Sequence, residues 1–292
     1  MKEKLFFIEP AKARELLARV GKMTAAKHGI DSSVYLIDEF AVLTTSRMKL
    51  RNVATRDDDL AYFEELIHTL MDLERQGIAV VPILGYSCDM DSKDGNGYIF
   101  QTRAKGEELY NDAAMSAFYV WTQSTRNDIP NGGNEYLIAR TSRIATIPQA
   151  HFDKFISDII ALLDNDILID FNGKSNFFYD DTAGFQFIDL DSHTDYKYGL
   201  TASKPDSRLI CAYYGFAPCH LAVGTRVLPN IALAETAVER LDAEELQQLI
   251  RANTAIFEKC KTAMLNSGIS AEEINSALEL LRIFGVQGTL AL

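Results

Sequence analysis

Two stretches near the middle of the chain decide the interpretation: Asp166-Ile-Leu-Ile-Asp170-Phe-Asn-Gly-Lys174-Ser-Asn176-Phe-Phe-Tyr179 and Phe185-Gln-Phe-Ile-Asp189-Leu-Asp191. In both, a short apolar run typical of a buried strand ends at an aspartate. Asn176 lies in the polar loop that follows the first run. If the runs pair as strands, Asp170, Asn176 and Asp189 converge on one point.

Oxygen ligands of this kind suit Mg²⁺, which binds one or two protein oxygens and fills the rest of its octahedral shell with water and phosphate. A carboxylate that does not bind the metal can accept the proton of an attacking hydroxyl group. An isolated aspartate at the end of a strand is more often a turn former or a helix cap. The prediction of a chemical site therefore depends on the combination of these residues.

The residues before this centre predict a small antiparallel sheet with one prominent helix. Helical spacing of apolar residues predicts a short helix over 10–20 and a longer amphipathic helix over 57–76, which ends at Gly77. Runs of β-branched and aromatic residues predict two hairpins, with strands over 33–37, 40–45, 78–84 and 97–102.

The rest of the chain is predicted to be mainly helical. Helices are expected over 113–123, 151–163, 241–264 and 271–284, whereas the segment Ser124 to Gln149 is expected to be an inserted loop because it contains Asn131-Gly-Gly-Asn134 and two prolines. The predicted fold class is α+β, with an N-lobe over 1–103 and a larger, mainly helical C-lobe over 104–292.

Composition limits the functions that the chain can perform. Its 292 residues include 29 Lys and Arg against 41 Asp and Glu, a formal net charge of −12, which argues against a nucleic-acid backbone as the main partner. The four cysteines form no CxxC pair, and we expect reduced thiols in a cytoplasmic protein. Neither a secretory leader nor a membrane-spanning segment is predicted.

The order of apolar helix, Ile-Leu-Ile-Asp170, polar loop, Asn176-Phe-Phe-Tyr and Phe-Ile-Asp189-Leu-Asp resembles the catalytic and metal-binding loops of the protein-kinase-like superfamily, including its aminoglycoside phosphotransferase branch. The resemblance implies that Asp170 is the catalytic-loop aspartate and that Asn176 and Asp189 bind Mg²⁺ beneath the ATP phosphates. Lys174 would contact the transferred phosphoryl group, and Asp191 would be a further metal ligand or a cap.

The resemblance extends to the N-lobe and implies a nucleotide site there. The segment Gly29-Ile-Asp-Ser-Ser-Val-Tyr35 is similar to a shortened phosphate-covering hairpin, in which the Gly29 to Ser33 backbone covers the phosphates and Val34 packs on the base. Glu64 is preferred over Glu65 as the inward-facing glutamate of the 57–76 helix. The residues implied for the hinge and for the walls around adenine are Val42, Ile99, Gln101, Thr102, Arg103 and Phe178.

Several positions depart from the family pattern. Thr44 stands where the ATP-contacting lysine is expected, so Arg47 or Lys49 would have to reach the phosphates from beyond the strand. Asp170 and Asn176 are six residues apart, one more than in the usual protein-kinase loop. These departures favour an atypical bacterial branch or a catalytically weakened member.

The sequence therefore predicts an enzyme that uses ATP and Mg²⁺ to transfer a phosphoryl group to a hydroxyl of a protein or a small molecule, with the acceptor unspecified. The alternative is a pseudokinase that acts as a nucleotide-responsive or scaffolding module, which Thr44 favours. A metal-dependent hydrolase is a third interpretation, but the five histidines show no HxH or HExxH spacing.

Overall fold

The structure is a computed structural model in which the chain divides into two compact units, Met1–Lys105 and Gly106–Leu292. The predicted lobes meet between residues 103 and 104, close to this division. The structure describes residues 8–28, 32–45, 56–88, 97–108, 133–165, 167–169, 177–188, 190–192, 211–212, 215–219 and 241–287.

The first unit consists of an antiparallel sheet and two helices. The helices are α1 (Pro10–Val20) and α2 (Arg56–Arg75), and the strands are β1 (Lys27–His28), β2 (Ser32–Ile37), β3 (Phe40–Thr45), β4 (Ile83–Cys88) and β5 (Gly97–Thr102). The strand order is β1-β2-β3-β5-β4. The α2 helix contacts β4 and ends at Arg75, and Gly77 in the turn that follows has a φ of +86°, which only glycine adopts readily.

Helix α1 covers one face of this sheet. Tyr35, Val42 and Phe100 lie opposite one another on β2, β3 and β5, so their side chains share that face. Ala13 and Leu16 of α1 are fully buried in the same cluster. Burying a side chain such as Leu16 stabilises the fold by about 1.5–3 kcal/mol.

The strand predicted over 78–84 is displaced in the structure, where β4 runs over Ile83–Cys88. Pro82 has no N–H to donate to a ladder, and its carbonyl instead accepts a bond from the Thr102 N–H at 3.1 Å. The apolar run before Pro82 therefore contributes buried side chains, including Val80 and Val81, without forming the strand.

The second unit combines four described helices with short strands. The helices are α3 (Gly133–Thr146), α4 (Gln149–Asp164), α5 (Ala243–Asn266) and α6 (Ala271–Gln287), and the strands are β6 (Glu107–Glu108), β7 (Ile167–Ile169), β8 (Phe177–Asp180), β9 (Gly184–Phe187) and β10 (Leu190–Ser192). Helices α3, α4 and α6 each pack on α5. The prediction of an α+β fold with an antiparallel sheet first and a mainly helical second part is confirmed.

Helix α3 corrects the prediction that residues 124–149 form a loop. The Gly-Gly pair marks the start of the helix at Gly133, and Ile138, Thr141 and Ile144 form a buried stripe at intervals of one turn. Lys259 of α5 donates two bonds of 2.6 Å to the carbonyls of Ala145 and Ile147, where α3 ends. The predicted helix over 113–123 lies outside the described residues.

Candidate functional site

Strand β7, which ends just before Asp170, pairs with β10, which begins just after Asp189. The apolar run before Asp189 forms β9 and pairs with β8, so the two predicted runs do not pair with each other. Strands β7 and β10 are antiparallel, and Ile169 lies opposite Leu190 at the end of the ladder. The chain leaves β7 toward Asp170 and enters β10 from Asp189, so both aspartates are joined to the same end of this ribbon. Asp170 and Asp189 themselves lie outside the described residues.

A second antiparallel pair has its end next to the predicted metal-binding asparagine. In the β8–β9 hairpin, Phe177 lies opposite Phe187. Asn176 immediately precedes Phe177 in the chain, and Asp189 follows Phe187 by two residues. Asn176 and Lys174 also lie outside the described residues, so their side-chain positions remain predictions.

Aromatic packing against α4 fixes the β8–β9 hairpin. Tyr179, Phe185 and Phe187 share one face of the hairpin, because Tyr179 lies opposite Phe185 and side chains alternate along a strand. The ring centroid of Phe155 lies 4.9 Å from that of Phe185 and 5.6 Å from that of Phe187. The hairpin is therefore held through its buried face.

Phe178 occupies the other face of the hairpin. It lies opposite Gln186 and next to Glu108 of β6. Phe178 is half-buried. Phe178 therefore lies on the side of the sheet that does not face α4. The prediction that it forms a wall for a flat base requires such a position.

Asp191 lies within strand β10, whereas Asp189 precedes the strand. It lies inside the β7–β10 ladder opposite Leu168. The structure does not describe its side chain, so its role as a further metal ligand or a cap remains a prediction.

The predicted adenine walls of the first unit do not share a face. Val42 is fully buried under α1, whereas Ile99 lies opposite Leu43 and therefore points to the other side of the sheet. Val34 also lies opposite Leu43, and the buried Gln101 is two residues from Ile99, so both share its face. The joint assignment of Val42 and Ile99 to one pocket is wrong, because sequence spacing alone did not show which face α1 covers.

Two backbone donors of the predicted hinge are already bonded. The Thr102 N–H donates to the carbonyl of Pro82 at 3.1 Å, and the Arg103 N–H donates to the carbonyl of Glu39 at 2.7 Å. A base that pairs with this segment would therefore need donors that follow Arg103 in the chain.

Thr44 is part of the sheet's own hydrogen-bonding pattern. Its hydroxyl accepts a bond from the Ser33 N–H at 3.2 Å and lies 3.4 Å from the Ser33 carbonyl. Thr44 is two residues from Val42 and points to the face that α1 covers. The other face of β3 carries Ala41 and Leu43, so neither face of this strand supplies a basic side chain.

The remaining nucleotide-site predictions are not tested by described side chains. Gly29, Arg47 and Lys49 lie outside the described residues, and Ser32 and Glu64 are described only as members of β2 and α2. Glu65 is exposed, while Ile67, Leu70 and Leu73 form the buried side of α2. Glu64 precedes Ile67 by three residues, which is the spacing of one helix face.

The sequence did not single out a polar cluster around Tyr179. Burial, followed by the charge of Asp181, raises the pKa of the Tyr179 hydroxyl, which lies 2.9 Å from Nδ1 of His151. Arg143 of α3 lies over the Tyr179 ring, with 5.2 Å between Cζ and the ring centroid. These residues are far apart in the chain, and Arg143 falls in the segment that was predicted to be a loop.

The described part of the chain was also compared with the requirements of a metal site and of a membrane-spanning helix. No cluster of three histidine, cysteine, aspartate or glutamate side chains able to hold a metal ion occurs among those residues. Nor does any helix there have the length and apolar character needed to cross a bilayer. The predicted Mg²⁺ ligands Asn176 and Asp189 belong to the undescribed part, and their oxygen atoms have the chemistry that Mg²⁺ prefers.

No family model matches the chain, and no curated protein matches it. Among solved structures it is similar to the "ROP18 kinase domain in complex with AMP-PNP and sucrose", with a TM-score of 0.43 and 10% identity over 84% of this chain and 82% of that one. It is also similar to the bifunctional kinase-methyltransferase WbdD, with a TM-score of 0.30 and 10% identity over 86% of this chain and 47% of that one.

Proposed function

We propose that the protein is a phosphotransferase that uses ATP and Mg²⁺ to move the γ-phosphoryl group to a hydroxyl of a protein or a small molecule. The observation that carries this proposal is the pairing of Ile169 with Leu190, which joins Asp170 and Asp189 to one end of the β7–β10 ribbon. Of two neighbouring carboxylates, one can accept a proton while the other binds the metal ion.

In this proposal Asp170 orients the acceptor hydroxyl and takes its proton. Asn176 and Asp189 hold Mg²⁺, and Asp191 is a further candidate ligand. The metal would supply positive charge to the phosphate oxygens. Lys174 would contact the transferred phosphoryl group, where an ammonium group stabilises the charge that develops.

Each unit carries candidate contacts for the nucleotide. In the first unit Ile99 and Val34 share the sheet face opposite α1, and in the second unit Phe178 lies on the hairpin face away from α4. The loop that includes Gly29, together with Ser32 and Ser33, would cover the phosphates. Base pairing would use backbone groups that follow Arg103.

A pseudokinase is the second candidate. The observation that favours it is the absence of a basic residue from β3, combined with the use of Thr44 within the sheet. Either Arg47 or Lys49 would have to replace the missing cation for efficient transfer, because the protein contributes mainly positioning and charge stabilisation to this reaction.

Because the reaction requires ATP, and because Cys211, Cys219 and Cys260 are free thiols, we place the protein in the cytoplasm, where thiols remain reduced.

Thermal unfolding with ATP, in the presence and absence of Mg²⁺, tests nucleotide binding. At ATP concentrations of about 100 times Kd, we expect the wild type to gain roughly 5–10 °C in Tm with Mg²⁺. Asp189→Ala should lose the Mg²⁺-dependent gain, whereas Asp170→Ala should retain it because Asp170 is assigned to proton transfer. No gain under any metal condition would exclude the ATP site.

A further inference from the structure

Arg143 connects three parts of the second unit. Its Nε donates to Oε1 of Glu107 in β6 at 3.0 Å, and its NH2 group donates to Oδ1 of Asp181 in the β8–β9 turn at 3.0 Å. Its guanidinium also lies over the ring of Tyr179 in β8. A single side chain from α3 therefore bonds to β6 and to the hairpin at once.

Among the described contacts, strand pairing with β8 and the bond from Arg143 hold β6 in place. It contains only Glu107 and Glu108, which pair with Tyr179 and Phe178 of β8. Gly106, just before β6, has a φ of +80°, and a Cβ there would collide with the carbonyl oxygen of Tyr179. The chain thus makes a close approach to β8 at the first residue of the second unit, and Arg143 supplies the side-chain contact that keeps β6 there.

The location of β6 links this contact to ligand binding. Glu108 lies beside Phe178, which is assigned to the base site, and Gly106 directly precedes β6 in the same unit. If β6 shifts on β8, the backbone of Gly106 and Glu107 shifts relative to the Phe178 ring. Both groups would contact the same base.

We propose that Arg143 is a positioning residue for the nucleotide: by bonding to Glu107 and Asp181 together, it fixes β6 on β8 and so sets the distance between Phe178 and the backbone of Gly106 and Glu107, which would receive the base. This inference rests on the proposed function, because it requires a nucleotide at that site. Arginine suits the task since its planar guanidinium offers several donors at fixed angles, which the lysine ammonium does not.

The test compares Arg143→Gln with a variant that is destabilised elsewhere in the same unit. Asp242 caps α5 by accepting bonds of 2.9 Å from the N–H groups of Glu244 and Glu245, and Asp242→Ala removes this cap without touching the hairpin. Affinity for MgATP is measured by titration calorimetry at a temperature where every variant is folded, together with Tm.

We expect Arg143→Gln to weaken MgATP binding by roughly three- to tenfold, with Arg143→Lys between it and the wild type. Asp242→Ala should lower Tm but leave the affinity unchanged. An unchanged affinity in Arg143→Gln, or an equal loss in Asp242→Ala, would overturn the positioning role.

Two further variants keep the proposal testable if Arg143→Gln does not fold. Glu107→Ala and Asp181→Ala each remove one partner, and each should weaken MgATP binding; normal affinity in both would contradict the inference. A wild type that binds no MgATP would remove both this inference and the proposed function, whereas normal binding by the Arg143 variants would remove the inference alone.

Discussion

At the scale of single residues, an ion pair of the first unit joins α1 to the β2–β3 turn. Arg19 donates to both carboxylate oxygens of Asp38, at 2.6 and 3.2 Å. Asp38 has a φ of 54°, a left-handed conformation that aspartate and asparagine tolerate better than most residues. The bond from Arg19 is the main reason why the pKa of the Asp38 carboxyl lies below its ordinary value.

This pKa shift predicts a pH-dependent contribution to stability. Because the folded pKa is lower than the unfolded one, the contribution is present above the unfolded value of about 3.9 and is lost as the pH falls through the folded value. Asp38→Asn retains the backbone preference and removes the charge. We expect the difference in urea midpoint between wild type and Asp38→Asn to be constant near neutral pH and to shrink below about pH 4. A difference that persists unchanged in acid would contradict this account.

At the scale of elements, the end of α3 depends on a side chain from another helix. The last carbonyls of a helix lack partners within it, and Lys259 of α5 donates to two such groups, on Ala145 and Ile147. Burial lowers the pKa of Lys259. The contact fixes α3 against α5 at the point where the chain turns into α4.

Removing this contact should destabilise the second unit measurably. Lys259→Met retains most of the apolar stem and removes the donors, and we expect a loss of about 1–3 kcal/mol in the free energy of unfolding from urea titrations. The matched substitution Lys261→Met, two residues further along α5, should change it by less than about 0.5 kcal/mol. Equal effects in the two variants would show that the bonds to α3 contribute nothing.

The helices and strands also differ in how well they could be predicted from the sequence. Hydrophobic periodicity was sufficient to predict α1, α2 and the β2–β3 hairpin, because the apolar residues of each element recur at regular spacing within a short segment. It failed for α3, where Gly-Gly and nearby prolines suggested a loop although Ile138, Thr141 and Ile144 follow a helical stripe. A local hydrophobic pattern predicts a helix or strand well only when the residues at its ends are also typical of that element.

Contacts between distant residues account for the other misses. Val42 was assigned to the base site because strand spacing does not reveal which face α1 covers. Arg143 could not be found from spacing, because its partners Glu107 and Asp181 are 36 and 38 residues away. The predicted pairing of the two apolar runs that end at Asp170 and Asp189 is also wrong. The run before Asp189 forms β9 and pairs with β8, whereas β7 pairs with β10, which follows Asp189 in the chain.

At the scale of the whole molecule, each unit carries its own set of predicted site residues. In the first unit Val34, Ile99 and Gln101 share one sheet face, and in the second unit Phe178 lies on the hairpin face away from α4 and the β7–β10 ribbon ends next to Asp170 and Asp189 in the chain. The net charge of −12 is compatible with a phosphate ligand if Mg²⁺ offsets part of the charge at the site.

The central claim is that Asp170 acts as the base in phosphoryl transfer, which distinguishes an enzyme from a pseudokinase. The most direct measurement follows the γ-phosphoryl group of labelled ATP, with Mg²⁺, to hydroxyl groups of the protein itself and to water, for the wild type and Asp170→Asn. The account predicts turnover by the wild type and a loss of about 10²- to 10⁴-fold in Asp170→Asn, with MgATP affinity retained. A wild type that binds MgATP without turnover, or an Asp170→Asn variant as active as the wild type, would contradict it.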